Sequence, residues 1–260
     1  MPPWISSLNP SASQAGFRFG DRGTHTSRTL MLVELRDLLA ATRPDAKRED
    51  YLDAIVDENV LGKPTLSSRR LTSQRLSELY VLDPALPIFR VLRRLWFVDE
   101  GARPLLALLC ALARDPLLRA SAPAVLDLIP GAELVRGTLT SGLRAATGSR
   151  LNDAILDKVA RNAGSSWCQS GHLLGRVRKI RQRVVPTPAA LAFAAWLGEQ
   201  EGGAGEDLLR TRWAQVLDQS PATLLELALR AKNLGLIHAR SGGNLIEIDA
   251  SGLDPLARRN

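Results

Sequence analysis

Residues 104–114 read PLLALLCALAR, and within them Leu105 to Ala113 form an unbroken apolar run. Pro104 suits the first turn of a helix, where no backbone N–H donor is needed. The run is much shorter than the roughly 20 apolar residues that a membrane-spanning helix requires. It therefore predicts a helix buried in a protein core, and no membrane partner is expected.

The composition of the whole chain also favours helices. The 260 residues are 45% apolar but only 5% aromatic, and Leu and Ala dominate. The two cysteines, Cys110 and Cys168, have the spacing of neither a disulfide framework nor a metal site. Met1 to Gly23 lacks the pattern of a signal peptide. These features predict a cytoplasmic protein with one large or two small domains.

Helical patterns extend outward from the Leu-rich run in both directions. Apolar residues recur at helical spacing between Pro, Gly and Ser breakers. The predicted helices cover residues 27–42, 45–59 (capped by Asp45), 66–80, 88–98, 104–114, 116–130, 132–146, 150–163 and 170–185. Residues 24–185 are therefore predicted to form a bundle-like α-helical domain with helix-turn-helix character. Residues 1–23 are predicted to be a flexible tail, from which Phe17 and Phe19 are candidates to pack on the domain.

Residues 186–260 follow a different pattern. Helices are predicted over 188–200 and 206–218, and a third begins at Ser220 and ends at Gly235. Two short apolar runs, 236–240 and 245–249, then flank a Gly-Gly turn. Three helices followed by a β-hairpin predict a winged-helix domain. The predicted fold class is thus mostly α, with a small C-terminal β-hairpin.

The positive charge of the chain is concentrated in one stretch. Residues 136–183 contain ten basic and two acidic residues, a net charge of +8 against +7 for the whole chain. Residues 186–260 have a net charge of −2, with seven basic and nine acidic residues. A concentrated basic region is typical of proteins that bind a polyanion, most often nucleic acid.

Within this stretch, residues 170–185 are predicted to form a basic helix. Leu173, Val177, Ile180 and Val184 recur at helical spacing and predict one apolar stripe. Phosphate contacts are predicted for Arg176, Arg178, Lys179, Arg181 and Arg183. The alternative interpretation is the solvated face of an amphipathic helix, although such a face usually includes acidic residues.

A second candidate phosphate site lies where the helix over 66–80 begins. Gly62, Lys63 and Pro64 precede hydroxyl and guanidinium groups that suit a phosphate at a helix N-terminus. The predicted contacts are Lys63, Ser67, Ser68, Arg69, Arg70 and Arg75. The alternative is an ordinary helix cap followed by surface arginines, and the glycine spacing of a nucleotide-binding P-loop is missing.

The winged-helix region offers a third candidate surface. Glu226, Arg230 and Asn233 are predicted to point outward from its third helix, where Arg230 suits contact with base edges. Arg240, on the hairpin, is within reach of a phosphate in the same arrangement. Because the region is net acidic, a structural or protein-docking winged helix remains an equal alternative.

No sequence motif indicates an enzyme. His25, His172 and His238 lie in different elements, and the chain contains no HExxH, no Cys/His cluster and no Gly-x-Ser-x-Gly. Sets of Ser, His and Asp can be drawn from any chain of this size, so none is singled out. The prediction is a non-enzymatic protein without a metal or cofactor.

Residues 55–71, which run from Ile55 through Gly62-Lys63-Pro64 to Arg69-Arg70-Leu71, resemble a stretch of the BrxA family of BREX phage-defence systems. In both, a helix ends before a Gly-Lys step, and Ser and Thr precede the paired basic residues of the next helix. Residues 17–36 and 165–167 are also similar to that family. The resemblance implies an all-helical, non-enzymatic protein that binds double-stranded DNA beside other phage-defence proteins.

Double-stranded DNA is accordingly the predicted partner, bound with little sequence preference and with strong salt dependence. One alternative is an adaptor whose arginines meet an acidic protein within a defence complex. Another is a transcriptional repressor that reads an operator through the winged helix. RNA binding is disfavoured because few aromatic residues are present to stack on single strands.

Overall fold

The computed structural model describes residues 10–20, 22–242 and 245–257, and this part of the chain is mostly helical, which confirms the predicted fold class. The helices are α1 (Pro10–Ala15), α2 (Leu32–Ala41), α3 (Arg48–Val56), α4 (Leu66–Tyr80), α5 (Pro87–Val98), α6 (Arg103–Arg114), α7 (Pro116–Ala120), α8 (Ala122–Leu126), α9 (Arg136–Thr147), α10 (Asp153–Gln169), α11 (Pro188–Gln200), α12 (Arg212–Gln215) and α13 (Pro221–Asn233). The strands are β1 (Leu173–Leu174), β2 (Ile180–Arg181), β3 (His238–Gly242) and β4 (Leu245–Asp249). They pair as two antiparallel hairpins, β1 with β2 and β3 with β4.

Two helices that are apolar on all sides form the centre of the core. In α6 every residue from Leu105 to Arg114 is buried, and in α11 every residue from Ala189 to Gly198 is buried. A helix without a polar face must be surrounded by other elements, and α6 packs against α4, α5, α7, α10 and α11. The core therefore continues across the predicted domain boundary at residues 185 and 186. Among the described residues, no helix has both the length and the apolar character to cross a membrane.

Several helices begin where their sequence signals predict. Thr65 accepts a hydrogen bond from the backbone N–H of Ser68 at the start of α4. Proline lies in the first turn of α5, α6, α11 and α13. The predicted order of three helices followed by a hairpin in residues 186–260 is confirmed by α11, α12, α13 and the β3–β4 pair.

Several predicted segments differ from the structure. Residues 10–15 form α1 and Phe17 is only 5% exposed, so this part of the chain is not a flexible tail; residues 1–9 lie outside the described range. The predicted cap at Asp45 is wrong, because α3 begins at Arg48 after Lys47. The predicted helix over 116–130 is divided into α7 and α8, and the one over 206–218 into a 3₁₀ turn and the short α12. In both cases one long periodic segment was predicted where the chain turns.

The predicted basic helix over 170–185 is wrong, because this segment forms the β1–β2 hairpin. Gly171 and Gly175 have φ angles of +88° and +112°, which a right-handed helix does not contain. A Cβ atom on Gly175 would lie 2.0 Å from the carbonyl oxygen of Arg178, so only glycine fits this turn. The apolar stripe is accordingly divided: Leu173 and Val184 are buried, whereas Val177 is 91% exposed.

A distant segment completes the hairpin. The backbone N–H of Leu134 donates to the Lys179 carbonyl at 2.8 Å, and that of Arg181 donates to the Ala132 carbonyl at 2.9 Å. Residues 132–134 thus run antiparallel beside β2. These hydrogen bonds attach the hairpin to the segment that connects α8 to α9.

His172 joins the base of the hairpin to the segment after α12. Its Nε2 lies 2.8 Å from the Val216 carbonyl and its Nδ1 lies 2.9 Å from the Ser170 hydroxyl. The ring packs edge-on against Trp167, with 4.9 Å between the ring centroids. Burial lowers the pKa of His172 to about 4, so the side chain is neutral in the folded protein at neutral pH.

This buried histidine predicts a loss of stability in mild acid. The unfolded chain takes up a proton on His172 near its ordinary pKa of 6.5, whereas the folded chain does so only near about 4. Because the unfolded state binds more protons between these values, the free energy of unfolding should fall by about 3 kcal/mol as pH falls from 6.5 to 4. Urea unfolding at each pH should show this decrease in the wild type and a smaller one in His172→Gln. Equal pH profiles for the two proteins would contradict the role of His172.

Candidate nucleic-acid interface

The tip of the β1–β2 hairpin projects positive charge into solvent. Arg176 and Arg178 are exposed, and Val177 between them is almost fully so. Arg178 makes an ion pair with Glu133 at 2.7 Å, yet its side chain remains 75% exposed. An exposed ion pair of this kind contributes little to stability. The guanidinium is therefore available to an external anion.

Lys179 fixes the hairpin against α10. Its Nζ donates to the carbonyls of Arg176 at 3.1 Å and Gly175 at 3.4 Å. Its aliphatic part lies over Gly164 of α10, where an added Cβ would be 3.1 Å from Lys179 Cε. Because Gly164 has no side chain, the lysine can lie close to the helix.

Helices α9 and α10 add three more cations. Arg136 and Arg161 lie 3.4 Å and 3.5 Å from the two carboxylate oxygens of Asp157, and Lys158 is exposed on the same helix as Arg161. We define the hairpin surface as Arg136, Lys158, Arg161, Arg176, Arg178 and Lys179. Asp157 and Glu133 are the carboxylates that pair with it, so the positive charge is only partly balanced.

Three members of this surface were not among the predicted contacts. Arg136, Lys158 and Arg161 belong to the +8 stretch, and that charge excess was the signal that pointed to them. The helical pattern placed the predicted contacts on residues 170–185 alone. A hairpin folded back beside α10 brings both groups together, which a helix in sequence order would not do.

Arg181 was predicted to contact phosphate, and the structure contradicts this. Its side chain is 2% exposed and pairs with Asp218. Nε donates to the Val125 carbonyl at 2.8 Å, Nη1 donates to the carbonyls of Gln182 and His172, and Nη2 donates to Asp218. An arginine with all these partners inside the protein supports the fold and does not face a ligand.

Arg183 and Arg230 lie in a different place, a groove of about 420 Å³ between the 183–186 segment and α13. Glu226 and Thr223 line the same groove, so its charge is mixed. Arg240 is exposed on β3, opposite Glu247 on β4. Arg183, Arg230 and Arg240 thus lie near carboxylates of the winged-helix region.

Most of the predicted Lys63–Arg75 site is occupied by contacts within the protein. Lys63 pairs with Glu34 at 3.1 Å, and Arg75 pairs with Glu78 at 2.7 Å. Arg69 donates to the carbonyls of Val56 and Lys63. Ser68 exchanges capping hydrogen bonds with Thr65, which leaves Ser67 and Arg70 exposed. The segment therefore joins α2, α3 and α4 and does not present a row of free phosphate ligands.

A hydrogen-bonded Asp–His–Ser chain lies inside the protein, and the sequence did not single it out. His25 Nδ1 is 2.7 Å from Asp115 Oδ2, and His25 Nε2 is 2.8 Å from Ser166 Oγ. These residue types form the triads of serine hydrolases. Here, however, the three residues are 0%, 1% and 0% exposed in chain order, and Ser166 Oγ also donates to the Asn162 carbonyl of its own helix.

The buried chain joins three elements. Asp115 accepts from the backbone N–H groups of His25, Leu117 and Leu118 at 2.9 to 3.2 Å and so caps α7. Burial acts to raise the pKa of Asp115, but His25 and these N–H groups outweigh it, and the pKa lies below its ordinary value. With no exposed serine oxygen, the arrangement stabilises the contact between the 3₁₀ turn Thr24–Thr26, α7 and α10.

No group of three or more His, Cys, Asp or Glu side chains within the described ranges is placed to hold a metal ion. Neither a protein-family model nor a curated protein matches the sequence. A functional assignment therefore depends on the geometry and charge of the surfaces described above.

Proposed function

We propose that this chain is a non-enzymatic protein that binds double-stranded DNA through the hairpin surface. The observation that carries the proposal is the convergence of six cations from α9, α10 and the β1–β2 hairpin on one exposed area. Phosphate groups of a duplex attract such an area with little regard to base sequence, and binding releases condensed counterions. The affinity should therefore depend steeply on salt.

The resemblance of residues 17–185 to the BrxA family supports a role in phage defence, in a BREX-like system beside other defence proteins. The net acidic winged-helix region, with the mixed-charge groove that Arg183 and Arg230 line, is then a candidate to dock a protein partner. The buried position of Ser166 supports the absence of hydrolase activity.

The test is binding of a labelled duplex of random sequence, measured by fluorescence anisotropy from 50 to about 300 mM salt. We expect the variant Arg176→Gln, Arg178→Gln, Lys179→Met to bind at least about tenfold more weakly and to lower the log–log salt slope by about three. Methionine is uncharged, and its side chain extends as far as the Cε atom that Lys179 places over Gly164. The variant should therefore keep the hairpin in place.

A charge-matched control separates local contact from net charge. The variant Arg43→Gln, Lys47→Gln, Arg210→Gln also removes two arginines and one lysine, all exposed and remote in sequence from the hairpin. It should keep most of the affinity and the slope of the wild type. Equal losses in both variants would show that net charge alone attracts the duplex and would exclude the hairpin surface as the site.

Two other outcomes would favour the alternative functions. If the wild type does not bind duplex DNA even at 50 mM salt, a protein-interaction adaptor becomes the better hypothesis. If Arg230→Ala abolishes binding to one sequence while Lys179→Ala has little effect, the winged helix is a sequence-specific reader.

A further inference from the structure

Two adjoining cavities lie beside α4, and their walls contain no residue of the hairpin surface. They have volumes of about 510 Å³ and 420 Å³ and share Arg18, Gln74 and Glu78 in their walls. Arginines are the common feature of both cavities. We define the arginine basin by these residues: Arg18, Arg22, Arg48, Arg70, Arg75, Arg114 and Arg150.

Few carboxylates balance this charge. Among the described residues that line the basin, the acidic ones are Glu49 and Glu78. Glu78 already accepts hydrogen bonds from Thr24 at 2.7 Å, Arg75 at 2.7 Å and Gln74 at 3.1 Å. Burial acts to raise the pKa of Glu78, but these bonds outweigh it and lower the pKa, so the carboxylate is ionised and fully used. Arg48 pairs with Asp83 at 3.8 Å, so the excess of positive charge is carried by Arg18, Arg22, Arg70 and Arg114.

Arg114 makes the excess of positive charge energetically unfavourable, because this residue is only 8% exposed. Its guanidinium donates to the carbonyls of Glu78, Gly16 and Ser77 and to no carboxylate within the described chain. Burial lowers its pKa to about 10; Cys110 and Glu78 act against this shift, and the neighbouring Arg18 charge acts with it. Arg114 is still protonated at neutral pH, so a buried cation faces other cations. A bound anion would offset the energetic cost of this arrangement.

The second cavity contains an unused donor. Arg75 uses Nη1 for Glu78, while its Nε is buried and has no hydrogen-bond partner in the described part of the chain. A buried N–H group without an acceptor is unfavourable. Since Arg75 lines the second cavity, an anion oxygen bound there would bring an acceptor close to this guanidinium and balance the local charge.

We propose that the arginine basin binds a small polyphosphate anion, the group that nucleoside triphosphates carry. Guanidinium groups suit phosphate oxygens because they donate paired N–H bonds in one plane. Two cavities that share Arg18 offer room for a chain of phosphates. Leu52 and Leu82 line the larger cavity and provide apolar contact for a nucleoside.

Burial and size favour a small ligand over a duplex. The volumes lie in the range of roughly 300 to 1,000 Å³ that is typical of small-molecule sites. The side chain of Arg75 is 23% exposed and Arg114 is less exposed still. A duplex contacts exposed side chains, whereas a phosphate chain is narrow enough to enter the cavities. This inference does not depend on the proposed function, because it concerns other residues.

The test is isothermal titration of the protein with inorganic tripolyphosphate, ATP and adenosine, with sulfate at matched ionic strength as a reference. Tripolyphosphate should bind at least tenfold more tightly than sulfate, and adenosine alone should not bind. Equal affinities for ATP and tripolyphosphate would mean that the phosphates suffice, and tighter binding of ATP would mean that the nucleoside also contacts the basin. Both results support the proposal.

The variant Arg18→Gln, Arg70→Gln should lose at least tenfold in affinity for tripolyphosphate. Arg70 is exposed, and no side-chain hydrogen bond of either residue is found within the described ranges, so the fold should persist. If the double variant does not fold, Arg70→Gln alone should still lose severalfold. Glu49→Gln removes a carboxylate from the wall and should tighten binding about twofold to threefold, a gain that a merely structural role does not predict.

Arg176→Gln with Arg178→Gln, on the hairpin surface, is the matched control and should leave tripolyphosphate binding unchanged. The proposal is overturned if the wild type binds tripolyphosphate no better than sulfate, or if the Arg18 and Arg70 variants bind it as well as the wild type does. Loss of duplex binding in those variants, without any binding of tripolyphosphate, would likewise overturn it and would assign the basin to DNA.

Discussion

Replacing Arg181 with alanine should lower the free energy of unfolding by about 3–5 kcal/mol, because it leaves the largely enclosed carboxylate of Asp218 without its cation. Arg181 is 2% exposed and Asp218 is 13% exposed. The guanidinium also donates to the carbonyl of Val125 in α8, so the substitution removes a buried hydrogen bond as well. Urea denaturation followed by circular dichroism measures this loss.

A second substitution separates the ion pair from the packing around it. Asp218 has a φ angle of +56°, a left-handed conformation that Asn also tolerates, so Asp218→Asn removes the charge with little backbone strain. In the double variant Arg181→Met, Asp218→Asn, the loss should be smaller than the sum of the single losses by about 1–3 kcal/mol. Additive losses would mean that the two side chains do not interact.

The variant Arg181→Met also distinguishes an effect on stability from an effect on DNA binding. Since Arg181 points into the core, Arg181→Met should leave the salt slope of duplex binding unchanged wherever the protein is still folded. A slope reduced by about one would mean that Arg181 reaches a phosphate, as the sequence predicts. Arg181 therefore provides a direct comparison between the sequence prediction and the structure.

Helices with local start signals could be predicted from the sequence almost to the residue. Pro87 begins α5, and the helix predicted over 66–80 matches α4, whose first turn is capped by Thr65. The apolar run of 104–114 is buried on all sides, as its lack of a polar face predicts. Each of these signals lies within one turn of the element that it defines, so no distant contact is needed to interpret it.

The β1–β2 hairpin could not be predicted in this way. Its apolar residues recur at helical spacing, while its second strand pairs with residues 132–134, about 45 residues earlier in the chain. Gly171 and Gly175 were the local signs against a helix. Charge predicted the position of the exposed basic area better than periodicity did, because charge does not depend on the secondary structure. Arg181 points inward because it pairs with Asp218, and the spacing of these two residues in the sequence does not reveal the pair.

Replacing Asp115 with asparagine should destabilise the protein by about 3–5 kcal/mol, because it removes both the carboxylate charge and one of the two acceptor oxygens. Asp115 Oδ2 lies 2.7 Å from His25 Nδ1, and three backbone N–H groups also donate to this carboxylate. An amide offers one acceptor oxygen in place of two, so some of these buried donors lose their partner. The cap of α7 alone contributes about 1 kcal/mol of the loss.

The pH dependence of this loss has a defined sign. The pKa of Asp115 is lowered in the folded protein, so its contribution is present above the ordinary carboxyl pKa and disappears as pH falls through the folded value. The wild type should therefore lose stability below about pH 4 by a route that Asp115→Asn lacks. The difference between the two proteins should be constant near neutrality and shrink in acid. A difference that grows in acid would contradict this origin.

Ser166 supplies a control for the hydrogen-bonded chain of Asp115, His25 and Ser166. Ser166→Ala removes the hydroxyl beside His25 Nε2 and should cost about 1–3 kcal/mol, less than Asp115→Asn, because no charge is left unpaired. A fluorophosphonate, which reacts with activated serines, should leave Ser166 unmodified in the folded protein, since the residue is 0% exposed. Labelling of Ser166 under native conditions would instead mean that the His25–Asp115–Ser166 chain opens to solvent, and the non-enzymatic proposal would then be wrong.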